Sequence, residues 1–353
     1  MPLSGNNSSL VDNSKNNFYG TPPVQINYQS TAWKIQAMYL ILCPIVFLIG
    51  IGGNLLATIV LRSKSFRKVP SSRVLVALAI VDSLVLLVGV LRVFTTSVSE
   101  KEIRNVNTGL CKLQPFLEFW MTHSSAWLLV LVTGMRALSL ISPLKVKAWI
   151  THRVEWISII IVLLVTFASN SYVLFGMKLE SKTKTIRVCH DGWNKGLSEA
   201  RELFDQIFGS FIPFAFILTG NLIILSLMLR SRRTQQNLTQ GSINKDQNKI
   251  KSTTIMLLTV SFAFLVTTAP LLVFSREFNN IQARIGPDNT GLLWNSFQIL
   301  FYSNYILNFY LYCASGKAFR LALIKILSPE STRKFSNGSH GQTQNCTVTS
   351  RGI

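Results

Sequence analysis

The chain has 353 residues, of which 48% are hydrophobic and only 14% are charged, whereas about 25% of the residues in an average soluble protein are charged. This composition argues against a soluble enzyme. A formal net charge of +20 would be consistent with a nucleic-acid-binding protein. The basic residues, however, cluster in short segments between apolar runs, so we expect no nucleic acid as a partner.

Seven apolar segments are long enough to cross a membrane, because a spanning helix needs roughly 20 residues at 1.5 Å of rise per residue. Polar residues inside the second and third segments predict that these helices face other helices. The predicted fold is an all-α membrane protein, a seven-transmembrane helix bundle over residues 37–315. In chain order the segments are Met38–Leu61, Val74–Val90, Leu113–Val132, Trp156–Phe175, Ile207–Leu229, Ile255–Phe274 and Leu292–Ala314.

The positive charge predicts the orientation of this bundle. Of the 35 Lys and Arg residues, 21 lie in Arg62–Arg73, Arg136–Arg153, Arg230–Lys251 and the tail after Ala314. Short loops rich in Lys and Arg face the cytoplasm. We therefore predict a multi-pass protein of the plasma membrane, with the N-terminus outside and the C-terminus inside.

The polar residues 1–36 are predicted to form an extracellular tail without a cleaved signal peptide. Asn6 and Asn7 each begin an Asn-x-Ser sequence, and we expect them to be glycosylated because they lie outside. Two of the five cysteines, Cys111 and Cys189, are also outside on this topology. An oxidising exterior favours a disulfide between them over two free thiols.

Polar residues near the middle of four spans predict a buried network. Asp82 is a carboxylate in an apolar helix, where it needs hydrogen-bond partners, water or a cation. Singly, each such residue could simply fix packing through a local hydrogen bond. Together they predict a hydrated network with sodium at Asp82 as an allosteric modulator, and no other cofactor is expected. Its members are Asn54, Asp82, Ser125, Asn304 and Asn308.

The third span places two charges on one helical face. Glu118 and Arg136 are 18 residues apart, which is five α-helical turns or about 27 Å of rise, and Ser125 lies near the same line. One helix would thus connect an outer site with an inner site. Pro213 and Pro270 permit kinks in the fifth and sixth spans, because proline removes a backbone hydrogen bond.

These residues resemble the rhodopsin-like G-protein-coupled receptors from about Met38 to Leu327, and the combined order of the motifs is more specific than any one of them. The segment Asn308–Cys313 and the segment Thr267–Pro270 resemble those of invertebrate neuropeptide receptors of the FMRFamide-receptor type. The matching positions are Gly53-Asn54, Leu78-Ala79-x-x-Asp82, Cys111 with Cys189, Arg136, Pro143, Pro213, Pro270 and Asn308-x-x-x-Tyr312.

The resemblance implies a receptor, not an enzyme, that binds an extracellular ligand and activates a heterotrimeric G protein. Arg136 would contact the G protein after the sixth helix swings about Pro270, with Pro143 and Tyr312 completing the switch. The chain departs from the family at Met135, where an acid usually restrains the arginine, and at Thr268, where an aromatic residue is usual. The first departure predicts raised basal activity.

Residues 316–327 are predicted to form a short amphipathic eighth helix on the membrane surface, with Phe319, Leu323 or Ile324, and Leu327 on its apolar face. The polar residues 328–353 are predicted to be a disordered cytoplasmic tail. Phosphorylation of its Ser and Thr residues by receptor kinases would recruit an arrestin.

The ligand class follows from the outer polar residues. Glu118 occupies the position at which amine receptors of the family carry an aspartate, so a small cation is one candidate ligand. The resemblance favours a neuropeptide, and Glu118 could instead pair with Arg92 inside the protein. The candidate ligand-binding residues are Arg92, Gln114, Glu118, Glu202, Asp205, Trp294, Gln298 and Tyr302.

A seven-helix transporter or channel is the remaining alternative. Transporters of this size usually contain internal repeats, or spans broken by Gly and Pro at matching positions in the two halves. The sequence shows neither pattern, and the basic loops around Arg136 suit a docking partner better than a transported substrate.

Overall fold

The computed structural model describes residues 31–328, apart from 65, 67, 68, 70, 183–185 and 237–243. It describes no side chains from 228 to 258. The predicted glycosylation sites Asn6 and Asn7 lie outside the described residues, as does the predicted tail from residue 329 onward.

The described chain is almost entirely helical. A turn of π-helix at Leu86–Val90 joins α2 to α3, and a second one at Ile207–Phe211 joins α8 to α9. The helices are α1 (Ala32–Arg62), α2 (Ser72–Val85), α3 (Leu91–Ser99), α4 (Thr108–Ile141), α5 (Pro143–Trp149), α6 (His152–Asn170), α7 (Tyr172–Gly176), α8 (Lys195–Gln206), α9 (Ile212–Gln236), α10 (Asn244–Arg276), α11 (Phe278–Ser315) and α12 (Lys317–Leu327).

Seven helical spans make up the bundle, and the predicted fold is confirmed. Five spans are long and apolar enough to cross a membrane by the described residues alone, namely α1, α2 with α3, α4, α6 with α7, and α8 with α9. The sixth and seventh predicted spans lie within α10 and α11. The first helix begins at Ala32, so the predicted boundary at residue 37 falls inside it.

The third span, α4, lies at the centre of the bundle. Half of its most apolar window is buried, compared with 22% for the fourth span, α6 with α7. It packs against the second, fourth and fifth spans. Its polar residues, which make it the least apolar of the five, therefore indicate burial among helices, as predicted.

An antiparallel hairpin covers one end of the bundle. Strand β1 (Met177–Ser181) pairs with β2 (Arg187–Asp191), and Leu179 lies opposite Cys189. We call this the disulfide end of the bundle and the opposite end the Arg136 end.

The predicted eighth helix is present as α12, but one face differs from the prediction. Phe319 is buried against Phe66, Phe309 and Tyr312. Ile324 and Leu327, which were expected beside Phe319, are exposed instead. The reason is that α12 packs Phe319 and Ala322 against the bundle and leaves a second apolar face uncovered.

Candidate functional site

The predicted disulfide fixes the hairpin to the third span. Cys111 is fully buried in α4, and its Cα lies 5.5 Å from that of Cys189 in β2. The backbone N–H of Cys189 also donates a hydrogen bond to Asn105 Oδ1 over 2.8 Å. The disulfide is therefore confirmed, and the hydrogen bond to Asn105 also ties the hairpin to the loop before α4.

A cavity opens beneath this hairpin, between the third, fifth, sixth and seventh spans. Its volume is about 110 Å³, which is room for several water molecules at roughly 10–15 Å³ for each. The lining residues are Glu118, Phe119, Thr122, His123, Asp205, Gln206, Ser210, Leu271, Leu272, Trp294, Gln298, Phe301 and Tyr302.

Five of the eight predicted ligand residues line this cavity, namely Glu118, Asp205, Trp294, Gln298 and Tyr302. The other three lie behind its wall: Gln114 and Arg92 contact Glu118, and Glu202 contacts Arg201. The structure thus brings most of the predicted set together. Their role in binding stays a prediction.

Glu118 is held by three side chains from three spans. The Tyr302 hydroxyl donates a hydrogen bond to Glu118 Oε1 over 2.5 Å, and Gln114 Nε2 donates to Oε2 over 2.9 Å. Arg92 Nε lies 3.5 Å from the same Oε2. The internal pair with Arg92 is thus present in the structure, so the Glu118 carboxylate is not an uncompensated charge.

This pair belongs to a chain of four alternating charges. Arg92 also contacts Glu102 over 3.2 Å, and Glu102 in turn contacts Arg104 over 3.3 Å. Burial alone would raise the pKa of the Glu102 carboxyl, but the two arginines hold that pKa below its usual value of 4.5. The sum of the four charges is zero, so this ion chain ties the loop before α4 to the cavity wall without giving it a net charge.

A second ion network lies across the cavity, around Arg201 at the start of the fifth span. Arg201 contacts Asp191 of the hairpin over 3.0 Å, Asp205 over 3.7 Å and Glu202 over 3.8 Å. Asp205 also accepts a hydrogen bond from the Tyr172 hydroxyl over 2.5 Å. With three acids to one cation, this side of the cavity is the more acidic.

Both π-helical turns shape the cavity through a glycine. A Cβ on Gly89 would lie 2.6–2.9 Å from three ring and hydroxyl atoms of Tyr302, and one on Gly209 would overlap the His123 imidazole. In the second turn, the Phe208 carbonyl oxygen accepts a hydrogen bond from Trp127 Nε1 over 3.1 Å. Such turns occur frequently at functional sites. Neither glycine could be predicted from the sequence, because no motif marks a π-helical turn.

Several other lining residues were missed as well. Thr122 lies one helical turn after Glu118, and this spacing could have predicted its place in the cavity. His123 is one of the polar residues of the third span for which no role at the cavity was predicted, yet it is buried and lines the cavity. Leu271 and Leu272 carry no signal that separates them from other apolar residues.

The predicted polar network is only partly assembled around Asp82, which is fully buried. The Ser125 hydroxyl donates to Asp82 Oδ1 over 2.5 Å, and Asn308 Nδ2 donates to Oδ2 over 2.6 Å. Asn54 instead donates to the Tyr305 carbonyl over 3.1 Å. Asn304 is buried on the seventh span, and the side chains that donate to Asp82 in the described part of the chain are Ser125 and Asn308.

The oxygen atoms near Asp82 fit a small hard cation by their chemistry. Carboxylate, hydroxyl and amide oxygens are the ligands that such cations prefer. Asn54 Oδ1 is buried and accepts no hydrogen bond from any residue that the structure describes. A sodium ion at Asp82 would be held by the oxygen atoms of Asp82 and Ser125.

At the opposite end, Arg136 lies near the C-terminus of α4 and is half buried. It forms no ion pair with any side chain that the structure describes. Of the other predicted switch residues, Tyr312 is buried beside Phe319, Pro270 lies inside α10, and Pro143 begins α5.

Residues 53–312 match the protein family described as "7 transmembrane receptor (rhodopsin family)". The growth hormone secretagogue receptor type 1 of Sus scrofa is 28% identical over 83% of this chain and 82% of its own length, and that of Homo sapiens is 29% identical over the same shares. The type-1 angiotensin II receptor of Gallus gallus is 27% identical over 81% of this chain and 80% of its own length.

Proposed function

The chain belongs to the rhodopsin family of seven-transmembrane receptors, and we propose that it binds an extracellular peptide at the disulfide end and activates a heterotrimeric G protein at the Arg136 end. As a member of this family it is a multi-pass membrane receptor and not an enzyme. One observation carries the proposal: a single helix, α4, contributes both Glu118 to the cavity and Arg136 to the opposite end.

Two observations support a peptide over a small amine. Glu118, the expected partner of an amine, is already paired with Arg92. The relatives are named as receptors for a growth hormone secretagogue and for angiotensin II, which favours peptide hormones.

More specifically, we propose that the ligand is a neuropeptide of the FMRFamide type. This proposal rests on the sequence of Asn308–Cys313 and Thr267–Pro270 alone, since the relatives found are vertebrate hormone receptors. The acids around Arg201 would suit a basic residue of such a peptide. A biogenic amine or another small cation is the second candidate, because Glu118 still lines the cavity.

The proposed orientation places the N-terminus outside and the C-terminus inside, at the plasma membrane. It is supported by the Lys and Arg residues in the segments at the Arg136 end. Sodium is proposed as an allosteric ligand at Asp82. Receptor kinases and an arrestin are proposed partners of the tail from residue 329 onward, and membrane lipids would contact the exposed apolar face of α12.

The test is a ligand screen in cells that express the full chain. G-protein activation is measured with a panel of amidated peptides, unmodified peptides and biogenic amines, and Arg136→Ala serves as the matched signalling-deficient variant. We expect at least one peptide to activate wild type and not the variant. Activation by amines alone would contradict the peptide as ligand and support an amine receptor. Solute flux without any G-protein activation would contradict the receptor function and support a transporter.

A further inference from the structure

A histidine in the hairpin above the cavity contacts an oxygen atom with each of its two ring nitrogens. His190 is one of four histidines in the chain, and its side chain is only 17% exposed. It lies in β2 directly after Cys189, which is disulfide-bonded to α4, and directly before Asp191, which contacts Arg201 of the fifth span. A change at His190 would therefore act between two points at which the hairpin is held to the bundle.

Neither of the two oxygen atoms has a proton to donate. Nδ1 of His190 lies 2.8 Å from the backbone carbonyl oxygen of Asp191, and Nε2 lies 2.9 Å from Glu180 Oε2 across the hairpin. A carbonyl oxygen and an ionised carboxylate are acceptors only, and a neutral imidazole has one N–H and one lone pair. The neutral ring would direct its lone pair at one of the two oxygens. Only the imidazolium, which has two N–H groups, suits both contacts.

The face of the hairpin that carries His190 holds one acid and one further cation. Successive side chains of a strand point to opposite faces, so His190 shares its face with Glu180 and with Lys178, the residue directly opposite in β1. The Lys178 side chain extends over Gly192, where an added Cβ would lie 2.4–2.7 Å from three of its carbon atoms. Glu180 is thus the acid that the structure places in contact with the ring.

The remaining charged residues near β2 belong to the opposite face or to the far end of the hairpin. Asp191 contacts Arg201 on the opposite face. The loop before α4 also packs against β2, and its Arg104 is paired with Glu102. The other cations of the hairpin and of the adjoining end of α4 are Lys112, Lys182 and Arg187.

We propose that His190 is a proton-dependent contact that holds the hairpin over the cavity. With a proton on each nitrogen, the ring joins Glu180 of β1 to the Asp191 carbonyl of β2. When Nε2 gives its proton to water, its lone pair faces the carboxylate and the hairpin loosens beside its contact with Arg201. Histidine titrates between about pH 5 and 8, so the contact is present at low pH and is lost as the pH rises.

The inference rests on the proposed function at one point, because a ligand would enter the cavity beneath this hairpin. Loss of the proton would open that entrance, and gain of the proton would narrow it. The receptor would then admit its ligand more readily at higher pH. The contact itself is a property of the hairpin and needs no ligand to be measured.

Hydrogen exchange of the purified full chain tests the contact. Protection factors of residues 177–191, which correct for the intrinsic effect of pH, are compared at about pH 6 and about pH 8 with EDTA present. Wild type should lose protection at the higher pH by about fivefold, the effect expected from one hydrogen bond. His190→Gln cannot titrate and should show equal protection at both values. Glu180→Gln can donate to the neutral ring and accept from the protonated one, so it should remove most of the dependence.

His152→Gln is the matched control, because it removes an exposed histidine at the Arg136 end. Its hairpin should keep the pH dependence of wild type. Equal protection of wild type at both values overturns the proposal. A dependence that survives in His190→Gln overturns it too, since another group would then be responsible. A difference that is present without EDTA and absent with it would assign the pair to a divalent metal ion and overturn the proton.

A thiol probe tests the consequence for access to the cavity. Ser210 lines the cavity, and Ser210→Cys on intact cells is labelled with a membrane-impermeant methanethiosulfonate reagent. The ratio of the labelling rate at about pH 8 to that at about pH 6 should be several times larger with His190 than with His190→Gln in the same background. Equal ratios would show that the contact does not control access and would overturn the proposal. Unequal ratios without G-protein activation in the ligand screen would reject the receptor function and leave the proton-dependent contact standing.

Discussion

The two ends of the bundle manage charge in opposite ways. At the disulfide end, arginines and acids alternate in networks that join the hairpin, the loop before α4 and three spans. At the Arg136 end, a large excess of Lys and Arg faces one buried acid among the described side chains. One end satisfies its charges internally, and the other leaves them to water or to a partner.

This difference indicates which kind of interaction governs recognition at each end. Buried charges that already have partners add specificity and fix loops, but they leave little net attraction for a ligand. An unbalanced basic surface attracts an acidic partner over a distance and depends on salt. Shape and a few hydrogen bonds should therefore govern recognition at the disulfide end, whereas charge should govern it at the Arg136 end.

The largest effect should come from opening the disulfide. Cys111→Ser or Cys189→Ser frees the hairpin from α4, and the chain-entropy model gives a loss of roughly 3–5 kcal/mol for a loop of this length. Ligand binding or surface expression should be abolished, as measured by antibody labelling of intact cells. Cys313→Ser, which removes a free cysteine, is the control. Normal binding and signalling in either single variant would show that the hairpin does not need the bridge.

Removing Arg136 should abolish G-protein activation at the opposite end and leave the disulfide end unaffected. Arg136→Ala breaks no ion pair that the structure describes, so expression and ligand affinity should stay near wild type while G-protein activation falls by more than about tenfold. Arg153→Ala, which removes an exposed cation at the same end, should leave activation nearly intact. Full signalling by Arg136→Ala would contradict the proposed route.

Breaking the ion chain should lower the thermal stability of the protein by a moderate amount. Arg92→Gln leaves Glu118 without its counter-charge, and Glu118→Gln leaves Arg92 with one of its two acids, Glu102. The double variant should recover part of the loss. A double-mutant cycle on the thermal unfolding of purified protein should give a coupling of about 1–3 kcal/mol. Additive effects would mean that Glu118 serves the ligand alone, and Glu118→Gln should then weaken a cationic ligand by more than about tenfold.

The smallest effect should come from the polar network between the two ends. Asp82→Asn removes a charge that a sodium ion would need, so any change of agonist affinity with sodium concentration should shrink while the fold persists. Ser83→Ala, which removes a neighbouring hydroxyl that bonds the Ala79 backbone carbonyl and not Asp82, is the matched control. An undiminished sodium response in Asp82→Asn would assign Asp82 to packing.

Much of the fold could be predicted from the sequence, because spans and loops follow from hydropathy. Seven apolar segments predicted the bundle, and the external cysteines predicted the disulfide. The polar residues of α4 predicted its central place, since lipid excludes such side chains. The ends of the helices were less predictable: α4 continues to Ile141 through residues that are no longer strongly apolar.

The site was predictable only as a set of residues at one level of the bundle. Glu118, Tyr302 and Gln298 were predicted together, and they do line one cavity. Their partners were harder to predict, because a pair such as Glu102 and Arg92 depends on how a loop folds back. The same holds for Asn54, whose side-chain N–H donates to the Tyr305 carbonyl and not to Asp82.

The two π-helical turns also bear on how this receptor can change by insertion and deletion. Each turn accommodates about one residue more than an α-helical turn, so it amounts to an insertion that the span absorbs without breaking. Deleting one residue from Leu86–Val90 would restore a continuous α-helix and leave the residues beyond it, including Arg92, facing nearly the same way, because the turn already absorbs the extra residue. The same deletion in a regular α-helical part of the span would rotate everything beyond it by about 100° and replace the cavity wall as a whole.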